Sequence, residues 1–267
     1  LKERPNPGIA QLLRVTELDR KSFLQSEDLA FTLAPRLNAA GRLGQAGLGV
    51  ELLLTDSDQR ATVLAKHIHE LNIKRDSLER SVYLAANKQA TEQFDPEHDP
   101  ALVLAGHGWH AGVIGIVAGR LAEKYHRPVV LISLDELGVK PGVGSGRSAG
   151  VLNLNEAFAH CGPHLVSHGG HAAAAGLRVT ENNLAAFRTD FCEYGTDHIA
   201  AEDRVACVQI DAETSLAALT LNTVNQIERL SPFGQGNLRP TLSTTNVTLE
   251  GPPRKMGGGD RHFSAKI

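Results

Sequence analysis

The stretch ALVLAGHGWHAGVIGIVAGRLAEKYHRPVVLIS, residues 101–133, carries two changes of period. ALVLAG (101–106) is a short apolar run of buried-strand length. GVIGIVAGRLAEKY (112–125) spaces its apolar residues as a helix does, and PVVLIS (128–133) is a second strand-like run. Strand, helix, strand is a β-α-β unit, so an α/β fold with a central sheet is expected. Gly108-Trp109-His110 falls at the carboxyl end of the first strand, where open α/β sheets bind ligands. The start of the following helix offers N–H groups to an anion, and Trp109 reads equally well as a core plug.

Downstream, Gly144-Ser145-Gly146-Arg147-Ser148 reads as a glycine-rich turn before a helix over NLNEAFAHC (153–161). Such a turn can offer successive N–H groups, two hydroxyls and one guanidinium to a phosphate; a plain surface loop fits the same residues. Gly169-Gly170-His171 sets a histidine beside residues that let a backbone or ligand come close, with Ala172 to Ala175 and Gly176 behind it. The imidazole can donate to a phosphate or serve the structure alone. A strand near 177–179 and a capped helix over 181–195 complete the block. His160, His164, His168 and His171 have a zinc-like spacing, but Pro163 and the Gly169-Gly170 pair interrupt any single helix, and no metal site is expected.

Upstream, Leu64, Ile68, Leu71, Leu78, Val82 and Ala85 recur at helical spacing from Thr55 to about Phe94, with Thr55, Asp56 and Ser57 as rival caps. This predicts one helix roughly 50 Å long, of the kind that links domains, ended by DPEHDP (95–100). Arg75 falls on its apolar stripe, either as a snorkelling stem or as an inward functional charge. RPNPGIAQLLRV (4–15) predicts a short helix, and Ser26 or Glu27 starts another that should stop or kink near Pro35. PRLNAAGR (35–42) then sits on a helix break or at a helix start. At the other end, acidic residues 200–203 suggest a linker, followed by a strand near 207–210 and a helix over about 215–230. SPFGQGN (231–237) is turn-rich, and strands are expected at 241–249 and 262–267, the last alternating Phe263, Ala265 and Ile267. A module cut inside a strand should leave an exposed edge. The expected organisation is a helical linker region over 1–99, an α/β domain over 100–199 and a third, incomplete β module over 204–267.

With 42% apolar and 21% charged residues, the 267-residue chain is neither disordered nor fibrous. A net charge of −3 excludes coating nucleic acid by bulk positive charge, so any polyanion site is focal. Aromatics are scarce at 4%, which disfavours base stacking as the main chemistry. Cys161, Cys192 and Cys207 are odd in number and lack ligand spacing, which suits three buried thiols in a reducing compartment and a cytoplasmic protein. No apolar run approaches the roughly 18 residues of a membrane span, and residues 1–7 are unlike a signal peptide. The only methionine is Met256 and the chain opens on Leu1, so it reads as a piece of a longer protein. HExxH, GxSxG and a phosphate-loop lysine are missing, and no complete hydrolytic centre is legible.

In order, PRLNAAGR (35–42), GWHAGVIGIVAGRL (108–121), GSGRS (144–148), GGHAAAAG (169–176) and SPFGQGN (231–237) resemble the RecJ family of single-strand-specific DNA exonucleases, within the DHH phosphoesterase superfamily. The resemblance implies a catalytic DHH domain, a long connecting helix, a DHH-associated α/β domain and an OB-type domain, of which the first is not in this chain. It implies two divalent ions, manganese or magnesium, held by that domain, and none bound by this chain. It implies that Ser145, Arg147, Gly169, Gly170 and His171 face the cleft and hold substrate phosphates, His171 assisting catalysis. Arg36, Asn38 and Arg42 would organise the junction and the cleft mouth, and His110 would contact or support the site. The implied partners are single-stranded DNA, the DHH domain of the same protein, and a helicase or single-strand-binding protein, in DNA repair and recombination; no membrane is involved. Two other readings stay open: a non-catalytic module binding single strands or a protein, and a DHH-type phosphoesterase acting on short oligonucleotides.

Overall fold

Asn6 caps the first helix by accepting the Ile9 N–H at 2.8 Å, and Pro7 takes the first position, where a missing N–H costs nothing. The resulting α1 (Pro7–Val15) opens a helical region in the computed structural model, which describes residues 3, 5–95, 97–200, 202–256 and 262–266. Leu1, Arg4, Pro96, Ala201 and Ile267, which enter the sequence reading, lie outside the described residues. Helix α2 (Ser26–Asp28) continues through one wide π turn (Leu29–Leu33) into α3 (Ala34–Arg42). The proline therefore does not push Ala34 out of helical geometry, as expected above: Ala34 has φ −59° and ψ −41°. The widened turn sits where Pro35 has no N–H to donate, and PRLNAAGR begins α3 with Pro35 in its first turn, so of the two expected placements the helix start holds and the break does not.

Helix α4 (Ala46–Leu54) precedes α5 (Asp58–Gln93), whose cap is Ser57, accepting the Arg60 N–H at 3.3 Å. At 36 residues α5 is about 54 Å long. Its first half buries Leu64, Ile68 and Leu71 against Leu12, Leu33 and Leu52 of the preceding helices. Farther along, the apolar stripe drifts by one position, because 3.6 residues per turn does not match a strict repeat. Val82, Ala86 and Ala90 are buried, whereas Ala85, expected on the stripe, is exposed.

The strands that follow are β1 (Leu102–His107), β2 (Val129–Leu134), β3 (Gly142–Arg147), β4 (Leu165–Gly170) and β5 (Ala174–Val179). They form one sheet in the order β1-β2-β3-β5-β4, with β1 and β2 parallel and the other pairs antiparallel. Helix α6 (Ala111–Tyr125) makes the β-α-β crossover. Strand residues alternate between two cores. Leu102, Leu104, Val129 and Leu131 join α6 and the second half of α5. Val103, Val130, Ile132, Leu177 and Val179 join Phe158 of α7 (Leu154–His160) and Phe187 and Phe191 of α8 (Leu184–His198). Strands β1 and β2 are thus covered on both faces, β4 is largely exposed, and α5 ties the sheet to the helical region.

Arg75 contributes to that tie. Its side chain is 13% exposed and donates to Glu79 at 2.5 Å and to Asn72 at 2.9 Å, while Arg120 of α6 donates to the other Glu79 oxygen at 2.9 Å. Glu79→Ala removes the shared acid from two guanidiniums. Asp76 still pairs with Arg75 and Arg120 is half exposed, so the expected cost is about 2 kcal/mol rather than that of a fully buried break, read by urea unfolding.

Cys161 is buried, and burial pushes its thiol up to about 12; burial likewise raises Cys192 to about 11. Against the expectation of three buried thiols, Cys192 is half-buried and Cys207, in a segment without regular secondary structure, is exposed.

The contacts divide the chain into Leu1–Ala206 and Cys207–Ile267. Within the second unit α9 (Leu221–Glu228) is capped by Thr220, β6 (Ala212–Glu213) pairs with β7 (Leu242–Ser243), and β8 (Arg254–Met256) pairs with β9 (His262–Ser264). The strand expected at 207–210 does not form: Val208 and Ile210 are exposed and, among the described residues, no neighbouring strand satisfies a ladder there. The strand expected over 241–249 shrinks to two residues for the same reason, and the helix expected from 215 starts at Leu221. SPFGQGN does turn, held by Asn237 donating to Leu230 and Pro232 carbonyls at 3.0 and 2.9 Å.

Candidate phosphate-binding site

Gly144-Ser145-Gly146-Arg147 is not the turn read from its glycines: it is the middle of the sheet. Its backbone groups are spent on the ladders to β2 and β5, so they cannot cradle an anion. The glycines serve packing. A Cβ on Gly144 would lie 2.6 Å from Leu177, and one on Gly146 2.8 Å from Phe158, so large side chains opposite fill the space. Ser148 is fully buried, exchanging bonds with Leu152, and is unable to reach a ligand.

The other face of β3 presents Ser145 and Arg147 toward α6. Arg147 Nη1 donates to Ser145 Oγ at 3.0 Å and to the Gly146 carbonyl at 2.6 Å. These bonds fix the guanidinium and leave its Nε and Nη2 donors for a ligand. Burial, with the nearby Arg42 charge second, lowers the pKa of Arg147 below its ordinary value. Neither arginine is paired with a carboxylate among the described residues. An anion between them would restore the solvation that burial removes and relieve their repulsion.

Room for this pair comes from Gly112, Gly115 and Gly119, which share one face of α6. A Cβ on Gly115 would sit 2.9 Å from both Arg147 Nη2 and Ser145 Oγ, and one on Gly112 only 2.0 Å from the Arg42 carbonyl oxygen. Arg42 Nη1 reaches back to the Gly112 carbonyl at 3.3 Å. This glycine spacing is the legible sign of a helix packed close against neighbouring segments, a signal that the motifs alone do not carry. Gly115→Ala should keep or raise stability, by up to about 1 kcal/mol of helix propensity, while displacing the guanidinium. The expected outcome is unchanged thermal unfolding with weaker oligonucleotide binding, measured side by side.

The ladders bring Gly169-Gly170-His171 to the same end. Ser145 pairs with Gly176, which pairs with Gly169; Arg147 pairs with Ala174, whose carbonyl accepts the His171 N–H at 2.9 Å. Two strand spacings put the His171 backbone about 10 Å from that of Arg147. Gly170 has φ +143° with Ala175 Cα 2.5 Å from where a Cβ would stand, so only glycine fits that position.

Other candidates sit apart. His110 caps α6, its Nδ1 accepting the Gly112 N–H at 3.0 Å, while Val113 N–H bonds the His110 carbonyl. The helix start is therefore largely satisfied from within and is a weaker anion site than expected. Trp109 is 8% exposed and belongs to the core. Arg36 donates to His69 at 3.1 Å and to the Thr32 carbonyl at 2.6 Å, locking α3 to α5, and Asn38 is exposed. His164 pairs with Asp190 and His160 lies over Tyr194. Among the described residues no three His, Cys, Asp or Glu side chains converge to hold a metal ion, so these residues do not fit a metal centre. No described helix is long and apolar enough to cross a membrane.

The site is thus built on a mixed sheet flanked by helices, with a strand arginine and serine near a Gly-Gly-His segment. The family model of the DHHA1 domain matches residues 98–195, and that of the RecJ OB domain matches residues 210–267. The chain belongs to the RecJ family. It is 37% identical over 98% of its length to the single-stranded-DNA-specific exonuclease RecJ of Dickeya dadantii, covering 45% of that protein, and 30% identical to that of Bacillus subtilis over 97%, covering 34%. Thermus thermophilus RecJ in complex with Mn2+ superposes with a TM-score of 0.81 at 30% identity, covering 98% of this chain and 37% of that one. The chain therefore spans less than half the length of the curated relatives it matches.

Proposed function

We propose that the intact protein removes nucleotides from the 5′ end of single-stranded DNA in repair and recombination, and that this chain is its substrate-positioning part. The division of labour follows the organisation expected from the sequence: a helical linker over 1–99, the DHH-associated domain over 100–199 and the OB-type module over 204–267. A DHH domain elsewhere in the protein holds two manganese or magnesium ions, which would supply the activated water. This chain supplies phosphate recognition. Arg147 neutralises a substrate phosphate, Ser145 donates a hydroxyl bond to it, and His171 with Gly169 and Gly170 shapes the approach and adds a donor. Arg42 adds charge beside Arg147, His110 supports the start of α6, and Arg36 with Asn38 organises the junction along α3. The OB-type module adds its own grip on single-stranded DNA.

One observation carries the reading: Arg147, bonded to Ser145, feels the charge of Arg42, and neither arginine has a carboxylate to balance it among the described residues. The test is the intact protein with manganese on single-stranded DNA labelled at either end. Release of labelled mononucleotide first from the 5′ end supports the reading. Release first from the 3′ end, or equal attack on duplex DNA, would contradict it.

A further inference from the structure

Paired residues on neighbouring strands share a face, and β3 pairs Val143 with Arg178 as it pairs Arg147 with Ala174. Arg178 therefore projects on the face that carries Ser145 and Arg147, with Gly176 as the small residue between. It is exposed and has no carboxylate partner among the described residues. With Lys140 and His110 it lines an open cavity of about 470 Å³ at the carboxyl ends of β1 and β2. Two acids also line that cavity. Asp135 is committed to its own turn, accepting the Val139 and Lys140 N–H groups at 3.0 and 3.2 Å, which hold its carboxyl below the ordinary range. Glu136 lies beside Gly108.

From Ala174 to Arg178 the strand advances about 13 Å. One phosphate cannot touch both cations, but different phosphates of one chain can, and the glycine between them leaves the sheet face low enough for a backbone to lie along it. We propose that Arg178, assisted by Lys140, holds a second phosphate of the strand whose first phosphate sits at Ser145 and Arg147. This rests on the single-strand reading above and extends it: the β3–β5 face is a base-independent track that needs a substrate several nucleotides long.

Fluorescence anisotropy of this chain with a long 5′-phosphorylated oligothymidylate, across a salt series, tests it. Arg178→Ala should weaken binding on the order of tenfold and reduce the slope of log K against log salt by about 0.7, the release expected for one single-strand phosphate. Arg178→Lys should recover most of the loss. Arg14→Ala, an exposed arginine on α1, should change neither quantity, with circular dichroism confirming that each variant folds. An Arg178→Ala protein that binds like the parent while Arg147→Ala binds weakly would overturn the track and leave the single-strand reading standing. Equal losses for Arg14→Ala and Arg178→Ala would overturn it too, as a bulk charge effect. A parent chain that does not bind the oligomer would remove both.

Discussion

Arg147→Ala in the intact protein is expected to lower kcat/KM on single-stranded DNA by about a hundredfold, the usual loss on removing one preorganised donor from a phosphoryl or acyl site. The size follows from the setting. The guanidinium is half-buried, oriented by Ser145 and the Gly146 carbonyl, and crowded by Arg42, so its charge is poorly solvated until a phosphate arrives. A surface arginine free to rotate would lose far less. Arg147→Lys keeps the charge but lacks the planar fork, so it should recover only part of the loss. Steady-state kinetics of the three proteins, with oligonucleotide binding measured in parallel, checks this. An Arg147→Ala enzyme that keeps full activity would remove Arg147 from the substrate site.

Gly112→Ala carries the largest expected cost to folding, about 3 kcal/mol, at the upper end of ordinary overpacking. The added methyl would stand 2.0 Å from the carbonyl oxygen of Arg42, a backbone atom that cannot swing aside as a side chain tip can. Either α3 or the start of α6 must move. The helix propensity gained by alanine, up to about 1 kcal/mol, does not offset that. The shift should also pull Arg42 away from Arg147, so destabilisation and weaker DNA binding are expected together. Gly115→Ala makes the contrast, because its methyl meets only the ends of Arg147 and Ser145. Urea unfolding of both variants separates the two cases; equal midpoints would mean that the α3–α6 contact yields without strain.

The β-α-β unit at 101–133 was legible because local periodicity alone encodes it: each strand is an apolar run and α6 keeps one apolar stripe. The α5 helix was legible for the same reason, although the sequence left Thr55, Asp56 and Ser57 as rival caps and the structure selects Ser57. What failed was long-range. Gly144 and Gly146 look like turn residues until Leu177 and Phe158 fill the space of their missing side chains, information that lies 12 to 33 residues away in the chain. The continuity of α2 into α3 depends on a π turn that no local rule for Pro35 supplies. Strand expectations at 207–210 and 241–249 rested on apolar composition, but a strand needs a partner as well as side chains.

The site divides along the same line. Ser145, Arg147 and the Gly169-Gly170-His171 turn stood out as motifs, and the sheet register brings them to one end. Their actual support, Gly112 and Gly115 on α6 with Arg42 arriving from α3, joins segments 70 residues apart and is visible only once they are packed. Arg178 was hidden because a single arginine in a strand carries no motif; its meaning comes from sharing a face with Arg147.

The central claim is that this chain holds phosphates without cutting them. The direct measurement is binding of the 267-residue chain to single-stranded DNA, with and without a 5′ phosphate, across a salt series, with a manganese-dependent nuclease assay on the same preparation. Salt-sensitive binding with no cleavage is the predicted result. Manganese-dependent cleavage that survives repurification would place a complete reaction centre within these residues and contradict the account.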